Sequence, residues 1–148
     1  MIDGHWLSVR RDDPRAFAFY RRHYSSLKNM RPWRARVTNF LGPGECVVLL
    51  SRCGRAVFAW QHNTIKRWDG QAGVCCTLFR NEGAGLSSEL IHEADEIAWR
   101  RWPGERHFTY VRDASVRSTN PGYCFLKAGW HRCGRNADGR LSVLEVLP

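Results

Sequence analysis

The chain has 148 residues, 43% of them hydrophobic, with seven Trp, seven Phe and four Tyr spread along it. That is bulk enough for one packed domain over 1–148, and it excludes intrinsic disorder of the whole chain. Lys and Arg number 23 against 14 Asp and Glu, a formal charge of +9, while no apolar run approaches the ~20 residues of a membrane span and Met1 to Arg11 lacks a secretory apolar core.

Pro14 to Tyr24 reads as a short helix, with Asp12 or Asp13 as cap and Pro14 in the first turn, turning Phe17 and Tyr20 or Phe19 inward. A basic aromatic loop follows from Lys28 to Arg36. Glu45 to Ser51 and Ala56 to Gln61 are apolar, β-rich runs joined by Cys53-Gly54-Arg55, which predicts a hairpin, and Gln71 to Phe79 is a third buried strand. The period then changes. Leu86, Leu90, Ile91, Ala94, Ile97, Ala98 and Trp102 mark one face of a helix that Pro103-Gly104 ends. His107 to Val111 is the next strand. A second helix has Asn120 as N-cap, Pro121 at its first position and Gly129 beyond its end, and Leu141 to Leu147 is the last strand. The order α, β, β, β, α, β, α, β predicts an α/β fold with a central sheet and helices on both faces.

Only Lys28, Lys66 and Lys127 are lysines, so 20 of the 23 basic residues are Arg. Guanidinium groups suit phosphate forks and base stacking, which favours a nucleic-acid partner over a merely solvated basic surface. The six cysteines form no C-x-x-C pair. A zinc ribbon is therefore not expected, and mostly buried, reduced thiols in the cytoplasm are.

Between the third strand and the long helix stands Arg80-Asn81-Glu82-Gly83-Ala84-Gly85. Glycines at such a junction bring backbone N–H groups close to an anion, and the helix N-terminus adds the positive end of its dipole. Ser87 and Ser88 could donate to a phosphate there, or one of them could simply cap the helix. His92 and Glu93 read as surface residues. Over residues 45 to 147 this loop and helix, the strand from His107 and the segment Asn120 to Trp130 resemble the GNAT (GCN5-related N-acetyltransferase) superfamily. The resemblance implies a GNAT-like fold, a central, mixed but mainly antiparallel sheet flanked by helices. It also implies coenzyme A or acetyl-CoA held by Arg80, Gly83, Ala84, Gly85, Ser87, Ser88 and Asn120. The tyrosine that often serves that superfamily as general acid is replaced by Phe125, which has no proton to give, and Tyr123 lies ~200° around a helix from that position.

His23-Tyr24 in the first helix, Asp113 after a strand and Tyr123 further on resemble the Mom-like DNA-modification proteins of phage Mu and its relatives. That resemblance implies an enzyme that converts adenine N6 in double-stranded DNA to a carbamoylmethyl form, protecting it from restriction in a bacterial cytoplasm. It makes His23, Tyr24, Asp113 and Tyr123 the reactive group, with His23, Tyr24 and Asp113 as ligands of an iron ion. His, Tyr and Asp side chains can each bind such a metal or move a proton, although each of the four could equally be a helix end, a turn cap or core packing. Reaching N6 requires extruding the base. Arg31, Trp33, Arg34, Arg36 and Lys66, Arg67, Trp68 supply guanidinium or ammonium for phosphate and indole for an unstacked base. An ordinary acetyltransferase acting on an amine and a non-catalytic nucleic-acid-binding module are the competing expectations, and a homodimer stays open.

Overall fold

The computed structural model describes residues 4–22, 41, 44–62, 70–112, 122–136 and 139–148. Among these the chain order is β1 (Trp6–Val9), α1 (Pro14–Arg22), β2 (Glu45–Ser51), β3 (Ala56–His62), β4 (Val74–Asn81), α2 (Ser87–Arg101), β5 (His107–Arg112), α3 (Tyr123–Lys127), β6 (His131–Arg135) and β7 (Leu141–Val146). The seven strands form one sheet in the order β1-β2-β3-β4-β5-β7-β6. Every neighbouring pair is antiparallel except β4 and β5. The fold is therefore α/β with a mostly antiparallel sheet. No helix among the described residues is long and apolar enough to cross a membrane.

Alternation along the strands builds a core on each side. Val48, Leu50, Val57, Ala59 and Leu78 meet Ala16 and Phe19 of α1. Leu49, Phe58, Trp60 and Cys76 face the other way, onto Leu90, Ile91, Ala94 and Ala98 of α2 and Phe125 of α3. Helices thus lie on both faces, as the sequence predicts. Burying Leu90 and Ile91 contributes about 1.5–3 kcal/mol each. Two indoles stitch the sheet to α2: Trp6 Nε1 donates to Leu90 O at 2.9 Å and Trp60 Nε1 to Ala94 O at 3.1 Å. Asp13 caps α1, its Oδ1 accepting the Arg15 N–H at 2.8 Å, and Phe19 rather than Phe17 or Tyr20 is the aromatic buried from that helix.

Several expectations need correction. Two strands, β1 and β6, carry no apolar run and were not anticipated. The third strand starts at Val74 and reaches Asn81, so Arg80 and Asn81 end a strand rather than open a loop. Leu86 leaves the apolar face of the long helix and is 63% exposed as its N-cap residue. The second helix is capped by Gly122 with φ 80°, while Asn120 and Pro121 lie outside the described residues. All six cysteines are free, but only Cys75 and Cys76 are buried; Cys46 and Cys124 are intermediate, and Cys53 and Cys133 are exposed.

Candidate functional site

The parallel pair β4 and β5 sets the site. Its register runs Val74↔His107, Cys75↔Phe108 and Cys76↔Thr109 and stops there, although β4 continues to Asn81 and β5 to Arg112. The two strands diverge toward their carboxyl ends, the end of an open sheet at which ligands gather. One residue, Thr77, is extra in β4, because Leu78 faces Ala59 and Cys76 faces Trp60. Such a bulge bends its strand.

The helix α3 covers the divergence. Gly122 lets it approach: a Cβ there would lie 3.0 Å from Leu144 and 3.3 Å from Val111. Phe125, at the position where the GNAT resemblance would place an acid, is 7% exposed, edge-on to Phe79 at 5.9 Å and to Trp130 at 4.8 Å. It is a packing residue. Tyr123, by contrast, is 52% exposed at the start of α3.

Beyond β4 the glycine loop is organised by Asn81, a residue the sequence reading passed over. Its Oδ1 accepts the Gly83 N–H at 3.1 Å and the Ala84 N–H at 2.9 Å, and its Nδ2 donates to Gly85 O at 2.8 Å and Ser87 Oγ at 2.9 Å. Gly83 and Gly85 take φ of 108° and 145°, a region closed to most other residues. The preference of Asn for bonding the backbone two residues ahead was the available signal. Two N–H groups expected to cradle an anion are therefore occupied. The first turn of α2 remains: Leu86, its N-cap residue, makes no side-chain cap among the described residues, and Ser87 and Ser88 stand inside the helix rather than at its cap. Arg80 turns its Nε onto Glu82. Asn81→Ala is expected to destabilise the fold by about 1 kcal/mol and to accelerate hydrogen exchange at Gly83 and Ala84 above all other amides, as NMR would show.

Beside that turn lies an open groove of about 370 Å³, lined by Ser88, Glu89, His92 and Glu93 of α2 and by Lys127 and Ala128 at the end of α3. His92 is exposed, as expected, and Glu93 half-buried, and both line this groove. Glu93 also anchors the N-terminal segment, its Oε2 accepting from His5 N at 3.1 Å and bonding His5 Nδ1 at 3.0 Å.

Beneath α3 is a buried polar cluster. Asp95 Oδ1 bonds His107 Nδ1 at 2.8 Å and its Oδ2 accepts Trp130 Nε1–H at 2.8 Å. Burial lifts the Asp95 carboxyl above its ordinary range, opposed by the bonds from His107 and Trp130. His107 lies between Trp99 at 4.4 Å and Trp60 at 4.5 Å, and its Nε2 has no hydrogen-bond partner among the described residues. Burial also pushes the Cys76 thiol well up and Cys124 up, so neither is primed as a nucleophile.

A comparison with protein-family models finds no matching family, and one with curated proteins finds no similar chain. Of the expected site residues, the structure brings Arg80, Gly83, Ala84, Gly85, Ser87 and Ser88 together on one strand–loop–helix junction and sets Tyr123 on α3. His23, Tyr24, Asp113, Asn120, Arg31, Trp33, Arg34, Arg36, Lys66, Arg67 and Trp68 lie outside the described residues. Among the described residues, no three His, Cys, Asp or Glu side chains gather as metal ligands.

Proposed function

We propose that this chain is a GNAT-like transferase of the Mom type, which modifies N6 of adenine in double-stranded DNA with a group drawn from acetyl-CoA or a related donor. The observation that carries the reading is the single parallel contact in an otherwise antiparallel sheet, opening beside a glycine loop that runs from β4 into α2. A donor's phosphate tail suits the uncapped first turn of α2, with Lys127 across the groove as counter-charge. The net charge of +9 suits a polyanionic acceptor.

Phe125 argues against ordinary acyl transfer assisted by an acid at that position, since a buried phenyl ring can only pack. Asp113 follows directly on β5, whose carboxyl end lies at the same end of the sheet as that of the parallel strand β4. His23 and Tyr24 follow directly on α1. One nitrogen and two oxygen donors suit an iron ion, and His23, Tyr24 and Asp113 would hold it; when bound it would supply redox chemistry for joining a donor carbon to nitrogen. Tyr123, 52% exposed at the start of α3, would hold or move a proton.

The test is mass spectrometry of nucleosides from DNA of cells producing the chain. A modified adenine is expected with the unaltered protein and is lost with His23→Ala, Tyr24→Ala or Asp113→Ala. An unmodified adenine pool beside soluble, folded protein would overturn the reading. Acetyl-CoA turnover on a simple amine without DNA would replace it with an ordinary acetyltransferase.

A further inference from the structure

The sheet ends in two edge strands that are protected unequally. β6 has a register shift between Arg132 and Gly134 and carries charged or titratable side chains at His131, Arg132 and Arg135. Bulges and charges of this kind keep an edge from recruiting another strand. β1 has neither. Trp6-Leu7-Ser8-Val9 holds no charge and no Pro, its register with β2 runs unbroken from Trp6↔Ser51 to Val9↔Val48, and β2 is its one neighbour in the sheet. Leu7 is 40% exposed, one of four large hydrophobic side chains exposed among the described residues.

The hydrogen-bonding phase of β1 is fixed at its start. His5 O accepts the Arg52 N–H at 2.8 Å, which makes His5 and Arg52 a hydrogen-bonded pair. Alternation then turns the backbone groups of Leu7 and Val9 toward β2 and those of Trp6 and Ser8 outward. Trp6 and Ser8 therefore present their N–H and C=O groups at the open edge, with no backbone partner there among the described residues.

This edge is complementary to itself. A second copy laid antiparallel along it, with a two-fold axis between the two Leu7 residues, brings Trp6 opposite Ser8 of the second copy and Ser8 opposite its Trp6. Each pair exchanges two N–H···O bonds, so every outward group of the strand is satisfied. Leu7 meets Leu7 of the second copy in a non-hydrogen-bonded pair, where side chains approach most closely. Continued past the strand ends, the same register sets Arg10 of the second copy opposite Gly4, and alternation places both on the face that Trp6 turns to α2. Glu93 of α2 stands over Gly4 on that face. Its Oε1 lies 2.7 Å from where a Gly4 Cβ would be, while its bonds to His5 use Oε2. Arg10 has a side chain 87% exposed and bonds Asp12 of its own chain at 3.1 and 3.4 Å. Each copy thus offers a guanidinium to the other's Glu93 carboxylate, and the two pairs are equivalent by symmetry.

We propose that the protein forms a two-fold homodimer by antiparallel pairing of its β1 edges, with Leu7 at the axis and Arg10 of each copy beside Glu93 of the other. Both β1 edges are consumed in the pairing and the bulged β6 edge adds no further strand, so the assembly closes as a dimer. Glu93 lines the groove beside α2, which brings an arginine of the second copy to the rim of that groove. The inference stands apart from the proposed chemistry.

Sedimentation velocity of the full chain tests it, over a micromolar concentration series at about 0.15 M salt, which screens the long-range repulsion between copies of charge +9. The unaltered chain is expected at twice its mass of 17.1 kDa. Leu7→Lys sets like charges opposite each other, and Ser8→Pro removes an outward N–H that β2 does not use; each should weaken the dimer roughly 10-fold or more. Leu147→Lys, at an exposed residue beyond β7, should leave it unchanged. Far-ultraviolet circular dichroism checks that each variant is folded. A disulfide reads the register directly, because paired residues at the axis have Cα atoms about 4.5 Å apart, within disulfide range. With the exposed Cys53 and Cys133 changed to Ser, Leu7→Cys should cross-link two chains on mild oxidation and Val9→Cys should not. A monomer throughout the series, which would leave the edge to some other strand such as a peptide, overturns the assignment. So does a dimer indifferent to Leu7→Lys and Ser8→Pro, or cross-linking no faster through position 7 than through position 9.

Discussion

Asp95→Ala is expected to lower the free energy of unfolding by about 3–5 kcal/mol, the range for removing one partner of a buried polar pair. One side chain ties together three elements: α2 carries it, His107 begins β5 and Trp130 follows α3. With Ala in its place, His107 Nδ1 and the Trp130 indole N–H are left without an acceptor in a site where Asp95 is 1% exposed and His107 fully buried. A domain of this size has only about 5–15 kcal/mol in total. Urea denaturation followed by Trp fluorescence measures the loss. A cost below ~1 kcal/mol would mean that the cluster relaxes around the change.

Asp95→Asn separates shape from charge. It keeps an oxygen for one donor but presents an amide N–H to the other, so an intermediate cost of about 1–3 kcal/mol is expected. Its pH dependence follows from the direction of the Asp95 shift. Burial raises the folded-state pKa above the ordinary value of 3.8. The carboxyl's own stabilising contribution is then fullest below that value and is lost as pH rises through the folded-state pKa. The stability gap between the unaltered chain and Asp95→Asn should accordingly narrow with rising pH across that window. Asp95→Asn measured beside His107→Gln separates the carboxyl's contribution from the loss of its hydrogen-bond partner.

The elements that announced themselves are those whose hydrophobic period is imposed by the core. Leu90, Ile91, Ala94 and Ala98 recur at helical spacing because α2 buries one face, and Val47 to Leu50 form an apolar run because β2 lies inside the sheet. β1 and β6 gave no such signal. β1 buries Trp6 alone among its four residues, its indole bonding α2, and β6 buries none, so neither edge repeats an apolar position often enough to show a period. Asp95 lies on the buried face of α2, where a charged residue looks like an error of phase until its partners, 12 and 35 residues away, are seen. The glycine loop was legible because positive φ demands glycine, whereas the role of Asn81 depends on the path of the loop around it. The phenyl ring of Phe125 has its physical reason in burial against Phe79 and Trp130.

Gly73→Ala should be the most damaging single-methyl change among the described glycines. Gly73 has φ 120°, and a Cβ there would lie 2.3 Å from the carbonyl oxygen of Arg106. That same oxygen accepts the Val74 N–H at 2.8 Å, the bond that precedes the parallel register of β4 and β5. The methyl group cannot be accommodated by turning a side chain, because the atom it meets is backbone; either the φ angle or the strand spacing must change. Left-handed strain of roughly 1–2 kcal/mol and overpacking of roughly 1–3 kcal/mol combine to an expected loss of ~2–5 kcal/mol. Gly54→Ala isolates the first contribution. It has φ 76° in the β2–β3 turn with nothing within 4 Å of the added carbon, so its cost should stay near 1–2 kcal/mol. Denaturation midpoints of the two variants compare them directly. Equal losses would show that conformational strain alone matters at Gly73. A larger loss there, with faster hydrogen exchange at Val74 and Cys76, would show that the approach of β4 to β5 sets both stability and the opening above it.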